Sequence, residues 1–373
     1  MANSSSGSDD QYKTPTYIQI GQIHCPVTGE LIHQYFAAED DKLPSFYQSH
    51  FTENRIIGSG GFAVVAECEH CFDMRCYAVK KMPIGHDPHD SDSSVPAVPQ
   101  ASADAALSEA SDAALSEASH DSRTLPNECS FSSMIKEIVI WSGLDHKNIV
   151  RYYESWVDNK FSGEIGETWE GGEIVRTKPC LYLQLELCES SLRAKLKLGD
   201  DCMQHWMTID DCKETFKDIV NGLAYIHDKG VMHGDISTDN ILYRDGVAKI
   251  TDFGLARMTE NDEDVLAADT LYCAPEMLEP KVKPDSKADI YSVGIILFEM
   301  LQPFVTASGR RLTLDELARK KVFPDSWNDI PAKNWVMQMI AEPASARPAA
   351  KDLKDNMSGI MDDIECSKVA SSC

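Results

Sequence analysis

Residues 231–243 read VMHGDISTDNILY, a polar loop that lies between two apolar runs and carries both an acid and an amide. Asp235 can accept a proton from a hydroxyl group, and the amide oxygen of Asn240 can ligate a hard cation such as Mg²⁺. His233 opens the same loop. The loop therefore offers two of the groups that a phosphoryl-transfer site needs, provided that other stretches supply ligands for the phosphates.

Three other stretches supply such ligands. GSGGFAVV at 58–65 is rich in Gly, which lets backbone amides approach an anion closely. YAVKKM places Lys80 on a predicted strand after that loop, and TDFGLAR contributes Asp252. A Mg²⁺ ion that bridges two phosphates would be held by Asn240 and Asp252, while Lys80 offsets phosphate charge. Any one stretch is a weak signal, but the four together are specific.

The composition bounds the class of protein. The chain has 373 residues, a net charge of -25 and 43% hydrophobic residues, enough for a large two-lobed domain with a sizeable core. The acidic excess argues against direct binding to nucleic acid or to a membrane surface. No apolar run is long enough to span a bilayer, and the scattered Cys are consistent with reduced thiols. We expect a soluble, cytoplasmic protein.

The pattern along the chain predicts an α+β fold. Residues 51–188 read as short strands with one helix, interrupted at 85–128 by an acidic, Ser- and Pro-rich insertion. This insertion contains DAALSEAS twice, too few copies for a solenoid, and we predict that it is disordered. CEHC at 68–71 lies on a predicted strand and its turn, which disfavours a zinc site.

Residues 189–357 carry mainly helical signals. One buried helix face is predicted from the spacing of Phe216, Ile219, Val220, Leu223 and Ala224. We therefore expect a small lobe built on a five-stranded antiparallel sheet and a larger helical lobe. An N-terminal extension at 1–50, disordered at 1–12, and a tail at 358–373 flank the domain.

The four stretches follow the motif order of eukaryotic protein kinases, which the chain resembles over residues 51–357. Ala274-Pro275-Glu276, Asp289 and Arg347 extend the match, and the family pairs that Arg with Glu276. The resemblance implies ATP and Mg²⁺ as cofactors, with ATP between the lobes. It implies as catalytic residues Asp235, Lys80, Asn240 and Asp252, the last two of which bind the metal. The implied nucleotide-binding residues are Gly58, Ser59, Gly60, Gly61, Phe62, Ala63, Val65, Ala78, Lys80, Glu137, Leu185, Glu186 and Cys188.

Within that resemblance, several of these residues have distinct roles. Glu137 would hold Lys80, and Phe253 would pack as a conformational latch. Leu185 would be the gatekeeper of the back pocket. Adenine would bond to the backbone at Glu186 and Cys188.

Among protein kinases, the chain resembles those that phosphorylate the alpha subunit of eukaryotic initiation factor 2. The matching stretches are HKNIVRYYESWVD at 146–158, LYLQLELCESSLRAKL at 181–196 and FEMLQPFVTASGRRLTLDELARKKVFP at 298–324. The resemblance implies a serine/threonine kinase that restrains protein synthesis under stress. It further implies that a helix within 298–324 docks the folded substrate and that the small lobe mediates a homodimer.

Two alternatives stay open because the motifs contain substitutions. Gly234 replaces the Arg that pairs with a phosphorylated activation segment, and Ser237 replaces a Lys that neutralises the γ-phosphate. Ala63 also stands where the third Gly of the Gly-rich loop is expected. The chain is therefore either an active kinase that needs no phosphorylation at Thr259 or Thr270, or a weakly active or inactive binding module. A serine/threonine kinase of the mitotic-entry inhibitory group, which also lacks that Arg, is the other enzyme alternative.

Overall fold

The structure is a computed structural model that describes residues 17–24, 31–38, 45–59, 63–84, 131–158, 180–196, 207–258, 271–279 and 282–367. The stretches predicted to be disordered, 1–12 and 85–128, lie outside these described residues. The chain divides into two compact units. The first holds residues 1–131 and 155–183, and the second holds residues 132–154 and 184–373.

The secondary structure follows the predicted order of strands and then helices. The strands are β1 (Tyr17–His24), β2 (Leu31–Ala38), β3 (Phe51–Ser59), β4 (Val64–His70), β5 (Cys76–Pro83), β6 (Tyr152–Asp158), β7 (Cys180–Glu186), β8 (Ser190–Ser191), β9 (Val231–Met232), β10 (Ile241–Arg244), β11 (Val247–Ile250) and β12 (Arg257–Met258). The helices are α1 (Phe46–His50), α2 (Phe131–Ser142), α3 (Leu192–Lys195), α4 (Ile209–Asp228), α5 (Lys287–Leu301), α6 (Ala307–Lys320), α7 (Lys333–Met339), α8 (Ala350–Asp355) and α9 (Met357–Glu365). Short 3₁₀ turns occur at Pro275–Leu278, Asp325–Trp327 and Ala344–Ala346.

The predicted five-stranded sheet is confirmed, with strand order β3-β4-β5-β7-β6. Strand β4 pairs antiparallel with both β3 and β5. Six consecutive residues of β5 and six of β7 are buried, because these strands lie inside the sheet. β1 and β2 form a separate antiparallel pair. With the helices of the second unit, this architecture confirms the α+β fold class.

Helix α1 and strand β6 are tied together in the first unit. The Asp158 carboxylate accepts hydrogen bonds from the backbone amides of Phe46 at 3.0 Å and Tyr47 at 2.9 Å, two donors that have no partner within the helix. Ser45 caps the same end of the helix. The buried core of this unit includes Tyr47, Phe51, Ala66, Cys68, Tyr77, Val79, Trp156, Cys180 and Tyr182.

Two long helices organise the second unit. Helix α4 begins at a capping box between Thr208 and Asp211. It buries Phe216, Ile219, Val220 and Leu223 of the face that its spacing predicts, whereas Ala224 is only partly buried. In helix α5 every residue from Ala288 to Leu301 is buried, which explains why its sequence is apolar nearly all round. Within the described ranges, none of the helices combines the length and the apolar character that crossing a bilayer requires.

Candidate active site

The loop that carries Asp235 is anchored to helix α5 by one buried carboxylate. Asp289 accepts hydrogen bonds from the backbone amides of His233 at 2.9 Å and Gly234 at 2.8 Å, and it contacts Nε2 of His227 at 2.8 Å. Burial acts to raise the pKa of Asp289, but the His227 contact and the other donors outweigh it and leave the pKa lowered. Asp289 therefore stays a charged carboxylate, and it anchors the loop that carries Asp235.

Asp235 and Asn240 are joined within the loop. The side-chain nitrogen of Asn240 donates to the Asp235 carboxylate and to its backbone carbonyl, both at 2.9 Å. The backbone carbonyl of Asn240 accepts from Thr251 at 3.0 Å, which places it beside the residue that precedes Asp252. The side-chain nitrogen of Asn240 donates to Asp235, whereas its side-chain oxygen is the atom that can ligate a hard cation.

Asp252 adopts a left-handed backbone conformation, with φ of 63°. The amide of Gly254 donates to its carboxylate at 3.3 Å. A side chain at Gly254 would have its Cβ 3.3 Å from Asp252 Oδ1 and 3.5 Å from Glu137 Oε2, so both carboxylates lie beside this glycine. The Asp252 carboxylate, with the amide oxygen of Asn240, is an oxygen donor that fits Mg²⁺.

Phe253 is fully buried between two aromatic rings. Its ring centroid lies 5.1 Å from that of Trp141 on α2 and 4.9 Å from that of His233. Trp141 is itself anchored, since its Nε1 donates to the carbonyl of Val150 at 2.8 Å. These tilted and edge-on ring contacts link α2, which carries buried Glu137, to the catalytic loop. No role was predicted for Trp141, although its position one helical turn after Glu137 is a signal that the sequence carries.

The first unit holds the predicted phosphate-binding residues. Gly58 on β3 pairs with Val65 on β4, and Val65 pairs with Lys80 on β5. Lys80 is buried. Ala78 lies two positions before Lys80 on β5, so both side chains face the same side of the sheet. Ser59 ends β3 and Ala63 precedes β4, whereas Gly60, Gly61 and Phe62 lie outside the described residues.

The predicted adenine-binding segment lies at the end of β7. The amide of Glu186 donates to Arg151 O at 2.8 Å, which leaves its carbonyl to accept from a base. The Glu186 carboxylate contacts Lys249 Nζ at 3.0 Å and accepts from the Arg151 amide at 3.1 Å. Leu185 is buried, and burial raises the pKa of the Cys188 thiol to about 12.

The Gly that replaces the expected Arg has a structural reason. Gly234 has φ of 81°, and a Cβ there would lie 2.9 Å from the carbonyl oxygen of Leu255. A side chain would thus meet both backbone strain and a steric clash. Ser237 is buried, and its carbonyl accepts from the Asn240 amide at 3.1 Å. Nothing in the structure explains the loss of the Lys at that position.

Outside the catalytic loop, the predicted pairing of Arg347 with Glu276 is confirmed. Arg347 is buried and donates from Nη2 to Glu276 at 2.9 Å. CEHC also has a local explanation, because Cys68 is buried with its sulfur 3.1 Å from the Tyr47 hydroxyl. Among the residues that the structure describes, no group of three or more His, Cys, Asp or Glu side chains is arranged to hold a metal ion.

The architecture and the loops define a phosphoryl-transfer enzyme of the bilobal type. The protein kinase domain family matches residues 113–358, more than half of the chain. The chain therefore belongs to the protein kinase domain family, and the predicted enzyme class, a protein-serine/threonine kinase, is confirmed at the level of the family. The matched range begins within the acidic insertion, after strands β3 to β5.

Three relatives illustrate the position of the chain within this family. It is 27% identical over 355 residues to an eIF-2-alpha kinase GCN2 of Arabidopsis thaliana, covering 83% of this chain and 25% of that protein. It is 26% identical over 317 residues to the interferon-induced, double-stranded RNA-activated protein kinase of Rattus norvegicus, covering 83% and 52%. It is 30% identical over 259 residues to a Wee1-like protein kinase of Oryza sativa subsp. japonica, covering 69% and 37%.

These relatives confirm the predicted resemblance to the initiation-factor kinases. The chain spans about a quarter of the length of the GCN2 relative and about half of that of the RNA-activated kinase. The Wee1-like match corresponds to the second enzyme alternative that the missing Arg suggested.

Proposed function

We propose that the chain is an ATP-dependent serine/threonine protein kinase that phosphorylates the alpha subunit of translation initiation factor 2 and thereby restrains protein synthesis. The observation that carries this proposal is the hydrogen bond between Asn240 and Asp235, next to Asp252, in a chain of the kinase family. The substrate is inferred from the relatives named as eIF-2-alpha kinases.

Each group has a role in this proposal. Asp235 accepts the proton of the incoming hydroxyl, and Asn240 holds Asp235 in the orientation that this requires. Asn240 and Asp252 hold Mg²⁺, which neutralises charge on the phosphates when it is bound. Lys80 contacts the α- and β-phosphates, and Glu137 orients it. The backbone of the Gly-rich loop, Gly58 to Phe62, covers the triphosphate.

The packing around Phe253 supports catalysis over a purely binding role. Phe253 lies between Trp141 and His233, and its burial leaves Asp252 beside Gly254 and Glu137. A binding module has no physical need to retain every acid and amide of the transfer reaction together. We therefore infer that the substitution at Ser237 slows the transfer by about 10²–10³-fold without abolishing it.

Independence from phosphorylation of the activation segment is part of the proposal. Gly234 offers no guanidinium to a phosphate, and a side chain at this position would meet backbone strain and the Leu255 carbonyl. Thr259 and Thr270 lie outside the described residues. Changing both to Ala is expected to leave transfer activity within about twofold, because Gly234 gives a phosphate at either position no charged partner in the catalytic loop. A large loss of activity in this variant would contradict the independence.

A self-dimer through the first unit and a cytoplasmic location complete the proposal. The dimer is inferred from the family resemblance of the sequence, and the location is inferred from the proposed substrate, because translation initiation takes place in the cytoplasm. Light scattering of the purified chain across protein concentrations tests the dimer.

The decisive experiment is mass spectrometry of the chain incubated with ATP, Mg²⁺ and the alpha subunit. The control variant is Asp252→Asn, which removes the negative charge from the proposed metal ligand but tolerates the left-handed backbone better than Ala does. We expect a phosphorylated Ser or Thr with the unmodified chain and none with the variant. Nucleotide binding without any transfer would instead favour the binding module.

The second enzyme candidate is favoured by the Wee1-like relative, at 30% identity over 69% of this chain. It predicts transfer to other protein acceptors but not to the alpha subunit. Including a mixture of unrelated protein acceptors in the same incubation separates the two candidates. Modification of those acceptors alone would support the alternative.

A further inference from the structure

A buried charged cluster lies directly behind the catalytic loop. Glu299 on α5 is almost fully buried, and its carboxylate accepts from Arg310 Nε and from the Tyr272 hydroxyl, both at 2.6 Å. Arg310 also donates from Nη2 to the oxygen of Tyr272 at 2.7 Å. Segment 271–279 and the two successive helices α5 and α6 thus meet at these side chains.

The cluster continues into the loop that carries Asp235. The hydroxyls of Tyr272 and Thr238 are 2.9 Å apart. Since the single Tyr272 proton goes to Glu299, the Thr238 hydroxyl must be the donor in this contact. Thr238 is fully buried, and its carbonyl accepts from the backbone of Arg193 at 2.8 Å. A continuous set of hydrogen bonds therefore runs from Arg310 to the catalytic loop.

The chemistry of the cluster shows why Arg310 matters to it. Burial and the negative charge of Glu299 raise the pKa of the Tyr272 hydroxyl, which keeps it protonated and able to donate. Without the Arg310 guanidinium, Glu299 would keep Arg193 Nη1 at 3.9 Å from its Oε1, a cation too far away for a hydrogen bond, and the cost would fall on the segments around it. A side chain with a planar fork is needed, because the two acceptors of Arg310 belong to different residues.

Helix α6 also presents apolar groups to solvent. Leu312, on α6, is 62% exposed, and Val305, just before its first turn, is 83% exposed. Arg310 lies between these positions in sequence but points inward, with its side chain only 14% exposed. Residues 305–312 therefore place two apolar side chains in solvent and the Arg310 side chain in the buried cluster.

We propose that Arg310 is a positioning residue that couples helix α6 to the catalytic loop through Tyr272 and Thr238. The inference rests on the proposed function, in which the loop that carries Asp235 transfers phosphate to a protein acceptor. Arg310 keeps α6, the 271–279 segment and Thr238 in register, and Thr238 fixes the loop in which Asn240 orients Asp235. Loss of Arg310 therefore affects the rate of transfer and not the affinity for either substrate.

The test compares Arg310→Ala, Arg310→Lys and Arg311→Ala. Arg311 is exposed and takes no part in the cluster, so its variant is a matched control for the loss of a positive charge. For Arg310→Ala we expect kcat for the alpha subunit to fall about 10- to 100-fold, as for a small displacement of a catalytic group. KM and nucleotide affinity should stay within about threefold, and Arg311→Ala should match the unmodified chain. Millimolar guanidinium should restore part of the lost kcat in Arg310→Ala, and urea should not.

Arg310→Lys keeps the buried positive charge, and it replaces Arg310→Ala in the test if the Ala variant does not fold. It too should lose kcat, because an ammonium group cannot reproduce the fork. A double-variant cycle with Thr238→Val should show coupling, so that the second change costs little once Arg310 is altered. A rise in KM at unchanged kcat, an equal loss in Arg311→Ala, or a loss of thermal stability alone would overturn the proposal.

Hydrogen exchange separates this inference from the proposed function. If the unmodified chain transfers no phosphate to any acceptor, the proposed function fails, but the coupling still predicts a change in the loop. Backbone amides in 231–243 should then exchange about tenfold faster in the Arg310 variants than in Arg311→Ala, since charge-assisted bonds are lost. Equal exchange in all variants would overturn the coupling independently of activity.

Discussion

The side-chain nitrogen of Asn240 lies 2.9 Å from the carboxylate of Asp235 and donates a hydrogen bond to it. The same nitrogen bonds to the backbone carbonyl of Asp235, so one amide fixes both the position and the rotamer of the acid. This contact lets Asn240 serve two purposes at once, because it uses the side-chain nitrogen and not the side-chain oxygen. The loop therefore depends on an amide at this position and not only on a metal ligand.

A change of Asn240 to Asp tests this dependence. The variant keeps an oxygen ligand but replaces the donor with a carboxylate that repels Asp235. We expect kcat for phosphate transfer to fall about 10²–10³-fold, similar to the loss of one transition-state donor. Steady-state kinetics with the alpha subunit as the substrate measure this change in kcat. Asn328→Asp makes the same chemical change at an exposed site and should leave kcat unaltered. An Asn240→Asp enzyme with normal kcat would show that the hydrogen bond has no role.

The left-handed conformation of Gly234 leads to a second prediction. Gly234→Ala should destabilise the chain by about 1–2 kcal/mol from backbone strain, and further from the contact with the Leu255 carbonyl. Gly246 is a matched control, because it has φ of 78° but nothing within 4 Å of an added Cβ. Gly246→Ala should therefore cost only the strain. Denaturant titration of both variants measures the difference.

Restoring the Arg that most protein kinases carry at this position should likewise be harmful. Gly234→Arg is expected to be at least as unstable as Gly234→Ala, because the conflict lies at Cβ and in the backbone. Equal stability of the Ala variants at 234 and 246 would remove this explanation for the missing Arg.

A third prediction concerns thiol reactivity at the end of β7. Burial and the nearby charge of Glu186 raise the pKa of Cys188 from 9.0 to about 12, which suppresses its thiolate. At pH 7.5, alkylation by iodoacetamide should be slower at Cys188 than at the exposed Cys71 and Cys76, on the order of a hundredfold. Peptide mass spectrometry over a time course gives the rates. In denaturant the three rates should converge; fast labelling of Cys188 in the folded chain would contradict the raised pKa.

Local patterns were sufficient to predict much of the fold. The strands around Lys80, the buried face of α4 and the wholly buried α5 follow from apolar spacing, which each segment carries in its own residues. The motifs likewise predicted the pairing of Arg347 with Glu276, a long-range contact that spacing alone does not reveal.

The remaining features depend on tertiary contacts that no local pattern records. The sequence shows that Gly234 replaces an Arg, but the positive φ and the approach of Leu255 are visible only in the structure. Tyr272, Glu299 and Arg310 are far apart in sequence, and each alone resembles an ordinary polar residue. Helix α1 was not predicted either, because five residues give little periodic signal, although Ser45 and Gln48 form a Ser-x-x-Gln capping box that the sequence carries.

His146 supplies a prediction about the pH dependence of stability. Its Nδ1 accepts a hydrogen bond from the Asn148 amide at 3.1 Å, and its ring stacks on Tyr225. Burial, and then the charges of Lys147, Lys354 and Lys249, lower its pKa from 6.5. The folded chain therefore favours the neutral ring, whereas the unfolded chain binds a proton near pH 6.5. The stabilisation by neutral His146 is present above that pH and is lost as the pH falls below it.

Two variants separate the effect of protonating His146 from the effect of its packing against Tyr225. His146→Gln removes the titration but keeps a neutral acceptor, so the decline in Tm from pH 7.5 to 5.5 should be shallower than in the unmodified chain. His146→Phe keeps the stacking on Tyr225 but leaves the Asn148 amide without its acceptor. It should show the same shallower slope together with a lower Tm at every pH. Thermal melts across this range measure both effects, and slopes equal to that of the unmodified chain would show that His146 does not contribute to the acid sensitivity.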